Sequence, residues 1–174
     1  MHVAFRAITP ADVEAIVAWR YPAPYEFYNW DPTDDPAELL DSVVTCVVAD
    51  DDAGSLVGFV CFGLAGQVPG GHQAGLYEEP LLDIGLGLRP DLTGRGLGLS
   101  FVCATLTLAR EGLRPAGFRL SVAAFNERAI RVYERAGFVR GERFLSPVRG
   151  VETPFLLMRR QNGRSCEFEQ VPTT

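Results

Sequence analysis

Apolar and polar residues alternate most regularly between Leu81 and Leu99, LLDIGLGLRPDLTGRGLGL. Leu82, Ile84, Leu86 and Leu88 share one face of a strand, while Asp83, Gly85 and Gly87 share the other. A strand that gives up two side chains on one face is weakened, and such glycines mark the close approach of a ligand or of another backbone. Upstream, the pattern predicts a strand from Val3 to Ile8. Thr9-Pro10-Ala11-Asp12 then supplies a cap, a proline at the first helical position and an acid for a helix reaching about Arg20, with Val13, Ile16 and Val17 at helical spacing. Asp35-Pro36-Ala37-Glu38 repeats that start for a short helix ending near Ser42. Val43 to Ala49 and Leu56 to Leu64 read as a hairpin, and the glycine-rich AGQVPGGHQAGLYEEP as a surface excursion. Beyond the central stretch a helix continues to about Glu111, with Leu99, Val102, Cys103, Leu106 and Ala109 on one face. Gly117 to Ala124 is a strand, and Asn126 caps a helix carrying Ala129, Ile130, Tyr133 and Ala136 that Gly137 stops. Val139 to Phe144 and Phe155 to Arg159 are the last two strands. No repeat or linker divides the chain, so residues 1–160 are expected to form one domain and residues 161–174 a loosely ordered polar tail.

Composition fits that outline. Of 174 residues, 47% are hydrophobic and 22% charged, enough for one full core without metal or disulfide support. With 22 acidic against 16 basic residues the net charge is -6, which argues against a nucleic-acid partner, because phosphate-backbone binding needs clustered Lys and Arg. Cys46, Cys61, Cys103 and Cys166 are far apart and form no C-x-x-C pair. They read as small buried hydrophobes in a reducing cytosol rather than as metal ligands or a disulfide framework. His2 and His72 lie near no other ligand at metal spacing, so no metal is expected. No apolar run approaches the roughly 18 residues of a membrane span and no signal segment opens the chain. A cytoplasmic chain without a membrane partner is expected.

Three features carry candidate chemistry. Thr93-Gly94-Arg95-Gly96-Leu97-Gly98 runs directly from a strand into a helix. Three alternating glycines let backbone amides converge where the helix adds roughly half a positive charge, which makes a phosphate cradle; a turning connector has no need of that spacing. The nucleotide P-loop pattern is absent, and the dinucleotide fingerprint would require glycine at Leu99. Second, Asn126 and Tyr133 stand seven residues, two helical turns, apart and share one face. Third, YPAPYEFYNWDPTDDP holds Tyr21, Tyr25, Phe27, Tyr28 and Trp30. It either packs rings onto the body of the protein or walls a substrate pocket.

The glycine loop after Leu88-Arg89-Pro90 and the Asn-x-x-Ala-x-x-x-Tyr-x-x-x-Gly-Phe run from Asn126 together resemble the two signature motifs of the GNAT superfamily of acyl-CoA-dependent N-acyltransferases. The resemblance covers roughly Val3 to Arg159. Thr93 departs from it, standing where the family usually has Gln or Arg; a backbone cradle tolerates the change. The resemblance implies an α/β (α+β) fold: a mixed, mostly antiparallel sheet with helices on both faces, splayed between two parallel central strands, here Leu81 to Leu88 and Gly117 to Ala124. It also implies acetyl-CoA as co-substrate, its pantetheine arm against Leu86, Gly87 and Leu88. The pyrophosphate would rest on the loop of Thr93, Gly94, Arg95, Gly96, Leu97, Gly98 and Leu99, with Asn126 holding the pantetheine or the strand end.

Acetyl transfer to a primary amine by direct attack in a ternary complex is the reaction this implies. An acceptor with a lysine-like pKa of about 10.4 must lose a proton first. Asp83 is the first candidate base, acting through water from about 13 Å along the strand; it is equally readable as a solvated acid at a strand start. Glu78 and Glu79 are reserves. Tyr133 would donate to the departing thiolate. Tyr25, Tyr28 and Trp30, flanked by Glu26, Asp31, Asp34 and Asp35, would suit a cationic small-molecule or peptide amine. Monomer and homodimer both stay open. The alternatives are a non-catalytic acyl-CoA sensor of the same fold and a different nucleotide-binding protein.

Overall fold

The computed structural model describes residues 2–32, 35–40, 45–163 and 166. Its strands are β1 (Ala4–Ala7), β2 (Thr45–Asp50), β3 (Leu56–Phe62), β4 (Leu82–Leu88), β5 (Gly117–Ala123), β6 (Val139–Val148) and β7 (Val151–Gln161). Its helices are α1 (Pro10–Val17), α2 (Pro69–Gln73), α3 (Gly98–Leu113) and α4 (Glu127–Arg135). The strands form one sheet in the order β1-β2-β3-β4-β5-β7-β6. Every neighbouring pair is antiparallel except β4 and β5, which α3 joins as a parallel crossover. This is the mixed, mostly antiparallel architecture expected from the sequence.

The period of two sorts the core onto two faces. Val60 and Phe62 of β3, Ile84 of β4, and Phe118, Leu120 and Val122 of β5 pack with α3 and α4. Cys61 and Phe59 point the other way, into a smaller cluster with Val13 and Ile16 of α1, Val48 and Trp30. The leucine face of β4 is thus the one buried under the long helices, and the glycine face looks toward α1.

Local chemistry fixes α1 as the sequence predicts. Thr9 and Asp12 form a reciprocal capping box, with Thr9 N donating to Asp12 Oδ2 at 2.8 Å and Asp12 N to Thr9 Oγ1 at 3.4 Å. Arg6 of β1 adds two bonds to the same carboxylate, at 2.6 and 2.8 Å. Those bonds hold the Asp12 carboxyl well below the usual carboxylate range. A depressed folded-state pKa contributes stability that is present above the unfolded pKa of about 3.9 and is lost as pH falls through the folded value. Asp12→Ala should therefore lower stability by about 1–2 kcal/mol at pH 7 in urea denaturation. The gap to wild type should narrow below about pH 4.

Three expectations change. Helix α1 ends at Val17, not Arg20. The glycine-rich segment after β3 is a surface excursion only in part. Gly70 and Gly71 of α2 are buried, Gly70 N donates to Ser146 Oγ of β6 at 3.0 Å, and a Cβ on Gly70 would collide with the Leu145 carbonyl. Glycine is there because a helix must approach a strand closely. Finally, the reading of the cysteines as free hydrophobes is corrected: Cys103 of α3 and Cys166 are joined in a disulfide that ties the chain after β7 to the long helix. The cysteine argument for a reducing compartment falls with it. The expected helix end at Ser42, the strand start at Val43 and residues 164, 165 and 167–174 of the expected tail lie outside the described residues.

Candidate active site

Strands β4 and β5 pair only at Leu82 with Phe118 and Asp83 with Arg119. Beyond that, β4 goes on pairing with β3 and β5 with β7, so their facing edges diverge and carry no ladder. Arg89 N donates to Val57 O at 2.8 Å, and the alternation of main-chain directions then turns the amides and carbonyls of Leu86 and Leu88 toward the gap. A cleft of about 550 Å³ fills the gap.

The glycines of β4 do not clear a face for a ligand, as their pattern had suggested. A Cβ on Gly87 would strike the Phe59 ring, and one on Gly85 would sit 3.2 Å from Gly66 Cα in the turn after β3. Of the two approaches a strand glycine can signal, the protein's own atoms fill this one. The opening is at the edge of β4, not on its face. Gly87→Val should accordingly displace Phe59 and destabilise the fold by about 1–3 kcal/mol in thermal or urea melts.

At the far end of β4 the loop has the backbone geometry that a cradle requires. Gly94 and Gly96 have φ of 75° and 79°, in the left-handed region that favours glycine, and a Cβ at either would meet open space. Helix α3 starts without a side-chain cap, and among the described residues no partner is found for the main-chain amides of residues 94–100. Such a helix start attracts anions. Thr93 Oγ1 is turned back onto Pro90 O at 2.7 Å. Arg131 and Arg135 of α4 also line the cleft, and Val132 between them sits 3.3 Å from where a Gly98 Cβ would be. Two cations thus stand beside the amide cradle.

Above the gap, Asn126 caps α4 through Oδ1, accepting from Ala129 N at 3.1 Å, and its Nδ2 donates to Tyr28 Oη at 3.0 Å. Tyr21 donates to the Leu88 carbonyl at 2.9 Å. The aromatic loop is thereby tied to both sides of the splay. Tyr133 projects from α4 into the cleft, its ring against Phe138 at 6.0 Å, and its hydroxyl has no hydrogen-bond partner among the described residues. Burial pushes its phenol well above the ordinary tyrosine range, and the Tyr28 and Tyr21 hydroxyls push the same way. Burial also raises Tyr28, and takes Tyr21 up to about 12.

The cleft brings together most of the residues singled out from sequence. Leu86, Gly87, Leu88, Thr93, Gly94, Gly96, Gly98 and Leu99 line it, as do Asn126, Tyr133, Tyr28 and Trp30. Arg95 is exposed, and neither it nor Leu97 lines the cleft. Tyr25 stands behind, under the Arg128 guanidinium at 4.0 Å. Asp83 does not reach the cleft, which corrects its expected place before the acceptor. It is 3% exposed, held by Arg119 through two bonds of 2.6 and 2.8 Å and by Gln67 Nε2 at 2.6 Å. Glu26 and Asp35 are exposed and Asp31 is off the lining; Asp34 lies outside the described residues. Sequence reasoning missed Ser121, Arg128, Arg131 and Arg135 as lining residues, whereas Tyr21 lines the cleft as the pocket-wall reading of the aromatic segment allowed. The three arginines were findable, since their spacing of three and four residues makes one helical stripe.

The family profile described as acetyltransferase (GNAT) domain matches residues 2–139. A mycothiol acetyltransferase of Propionibacterium freudenreichii subsp. shermanii is 38% identical over 104 residues, which is 60% of this chain and 28% of that protein. The chain thus spans well under a third of the length of that relative. Among solved structures, AAC(6')-Ib in complex with ribostamycin and coenzyme A superposes with a TM-score of 0.71 at 23% identity, over 98% of both chains. A chimera of the Vibrio cholerae spermidine N-acetyltransferase SpeG and hSSAT gives 0.70 at 19%, over 91% of this chain and 95% of that one. At such identities the likeness is one of fold.

Proposed function

This chain belongs to the GNAT acetyltransferase family, and from that premise we propose that it transfers an acetyl group from acetyl-CoA directly to a primary amine in a ternary complex. The observation that carries the proposal is the gap between β4 and β5, which leads past the main chain of Leu86 and Leu88, on the side of β4 that no strand pairs there, to an uncapped helix start. A long, amide-bearing ligand ending in phosphates fits those features: strand-like pairing at the edge, open amides at residues 94–100, and Arg131 and Arg135 beside them. When bound, acetyl-CoA supplies an activated thioester.

The chain's own residues then have three tasks. Leu86 and Leu88 hold the ligand's amides in line. Tyr133, kept protonated by burial, offers its hydroxyl to the sulfur as the amine nitrogen bonds to the acetyl carbon and the carbon–sulfur bond breaks. A phenol shifted upward is a poor proton donor outright, so its main work is a hydrogen bond to developing charge. The amine's proton goes to solvent, because no Asp, Glu or His lines the cleft among the described residues.

That missing base gives a test. The acid limb of kcat/KM should follow the acceptor's own amine, moving up as amines of higher pKa are used, from about 8 for a peptide α-amine toward about 10.4 for a lysine-like one. A limb fixed at one pH for all acceptors would reveal an enzyme base. The same observation favours the second reading, an acyl-CoA sensor that performs no chemistry. Release of free CoA thiol on adding amine separates the two.

A further inference from the structure

The charge of the cleft bears on the acceptor. Among the described residues that line it, none is acidic, while Arg128, Arg131 and Arg135 are all present. A pocket for a polyamine would need carboxylates to replace lost hydration of each ammonium. The cations are distributed along α4. Arg131 and Arg135 flank Val132, which packs at Gly98, and so belong to the cradle end. Arg128 lies on the first turn, next to the aromatic loop: its guanidinium sits over Tyr25, and Asn126, two residues earlier, holds the Tyr28 hydroxyl.

Arg128 is half-buried and has no carboxylate partner among the described residues. Its neighbours Glu127 and Glu134 are both bound to Arg140 instead. The rest of that end of the cleft is apolar and ring-lined, with Trp19, Tyr21, Tyr28, Trp30, Phe59 and Phe155. An unpaired, planar cation beside rings is suited to a carboxylate carried on an apolar body.

We propose, resting on the acyl-transfer reading above, that the acceptor is an amine bearing a carboxylate and a ring-sized apolar group, of the amino-acid class, with Arg128 receiving the carboxylate and the aromatic loop the apolar group. The class also suits a cleft without a base, because the α-amine of an amino acid is less basic than an alkylamine and is more often neutral at neutral pH.

L-phenylalanine, phenethylamine and spermidine separate the contributions. Calorimetry with the CoA-saturated protein should show phenylalanine binding at least 10-fold more tightly than phenethylamine, and spermidine not binding. In the thiol-release assay, phenylalanine should be preferred over phenethylamine by the same factor in kcat/KM. Arg128→Gln should collapse that preference toward 1, and Arg128→Lys should restore part of it. Tighter binding of spermidine, equal binding of phenylalanine and phenethylamine, or binding of none of the three would overturn the assignment. An Arg128→Gln effect confined to KM for acetyl-CoA would also overturn it, moving Arg128 to the cofactor. Phenylalanine binding without thiol release would leave the carboxylate site standing and remove the acyl-transfer reading instead.

Discussion

Tyr133→Phe is expected to lower kcat on the order of 100-fold while KM for acetyl-CoA changes by less than about twofold. The ring packs against Phe138 whether or not it carries oxygen, so the variant should fold and melt like wild type. Only the hydroxyl goes, and in the structure it bonds to nothing among the described residues, which leaves it available to a reacting group. Raised above its ordinary range by burial, it is neutral through the whole working pH range. No basic limb from Tyr133 should therefore appear in kcat below about pH 10. A kcat within threefold of wild type would take Tyr133 out of the chemistry.

Asp83→Ala carries the other large effect, and it is expected in stability. Its carboxylate and the Arg119 guanidinium are 3% and 1% exposed, and they join the last paired residues of β4 and β5 before the strands part. Arg119 also donates to the carbonyls of Leu76 and Glu79, so the pair fixes the segment entering β4. Removing one partner strands a buried guanidinium, which costs about 3–5 kcal/mol. For a domain of this size that is roughly 6–20 °C in Tm. Asp83→Asn, which keeps the shape and some hydrogen bonds, should cost less. Were Asp83 the catalytic base, both variants would melt near wild type and lose turnover together; a Tm within 2 °C for Asp83→Ala would support that and contradict the structural role.

The contrast between Tyr133 and Asp83 shows what the sequence could disclose. Patterns local to one element were legible: the Thr9 capping box, the Asn126 cap, the leucine face of β4, and the glycine loop opening α3 all stand where spacing places them. Tyr133 was legible because Asn126 shares its helix. Asp83 was misplaced because its partner lies 36 residues on, in a parallel neighbour whose register no local pattern fixes. Gly85 and Gly87 truthfully announced a close approach, yet a strand cannot say whether Phe59 or a ligand makes it. For the same reason Gly70 and Gly71 looked like loop residues, although Gly70 seats α2 against β6 and Gly71 makes room for the Tyr77 ring. The Cys103–Cys166 bond joins residues 63 apart, and neither flank hints at the other.

The end of the cleft proposed to take the acceptor was the least legible, because the aromatic loop, α4 and β5 come together there only on folding. Tyr21 reaches Leu88 across 67 positions, and Asn126 reaches Tyr28 across 98. Acids near the aromatic loop in sequence suggested a cationic guest, whereas the described lining is cationic itself.

The most direct test is the appearance of free CoA thiol when purified protein, acetyl-CoA and a panel of amines from several classes are mixed, with the N-acetylated product identified by mass spectrometry. Thiol and acetylamine should form in equal amounts and depend on the amine. Acetyl-CoA binding, seen by thermal shift, with no thiol release above the amine-free control for any amine would contradict the account.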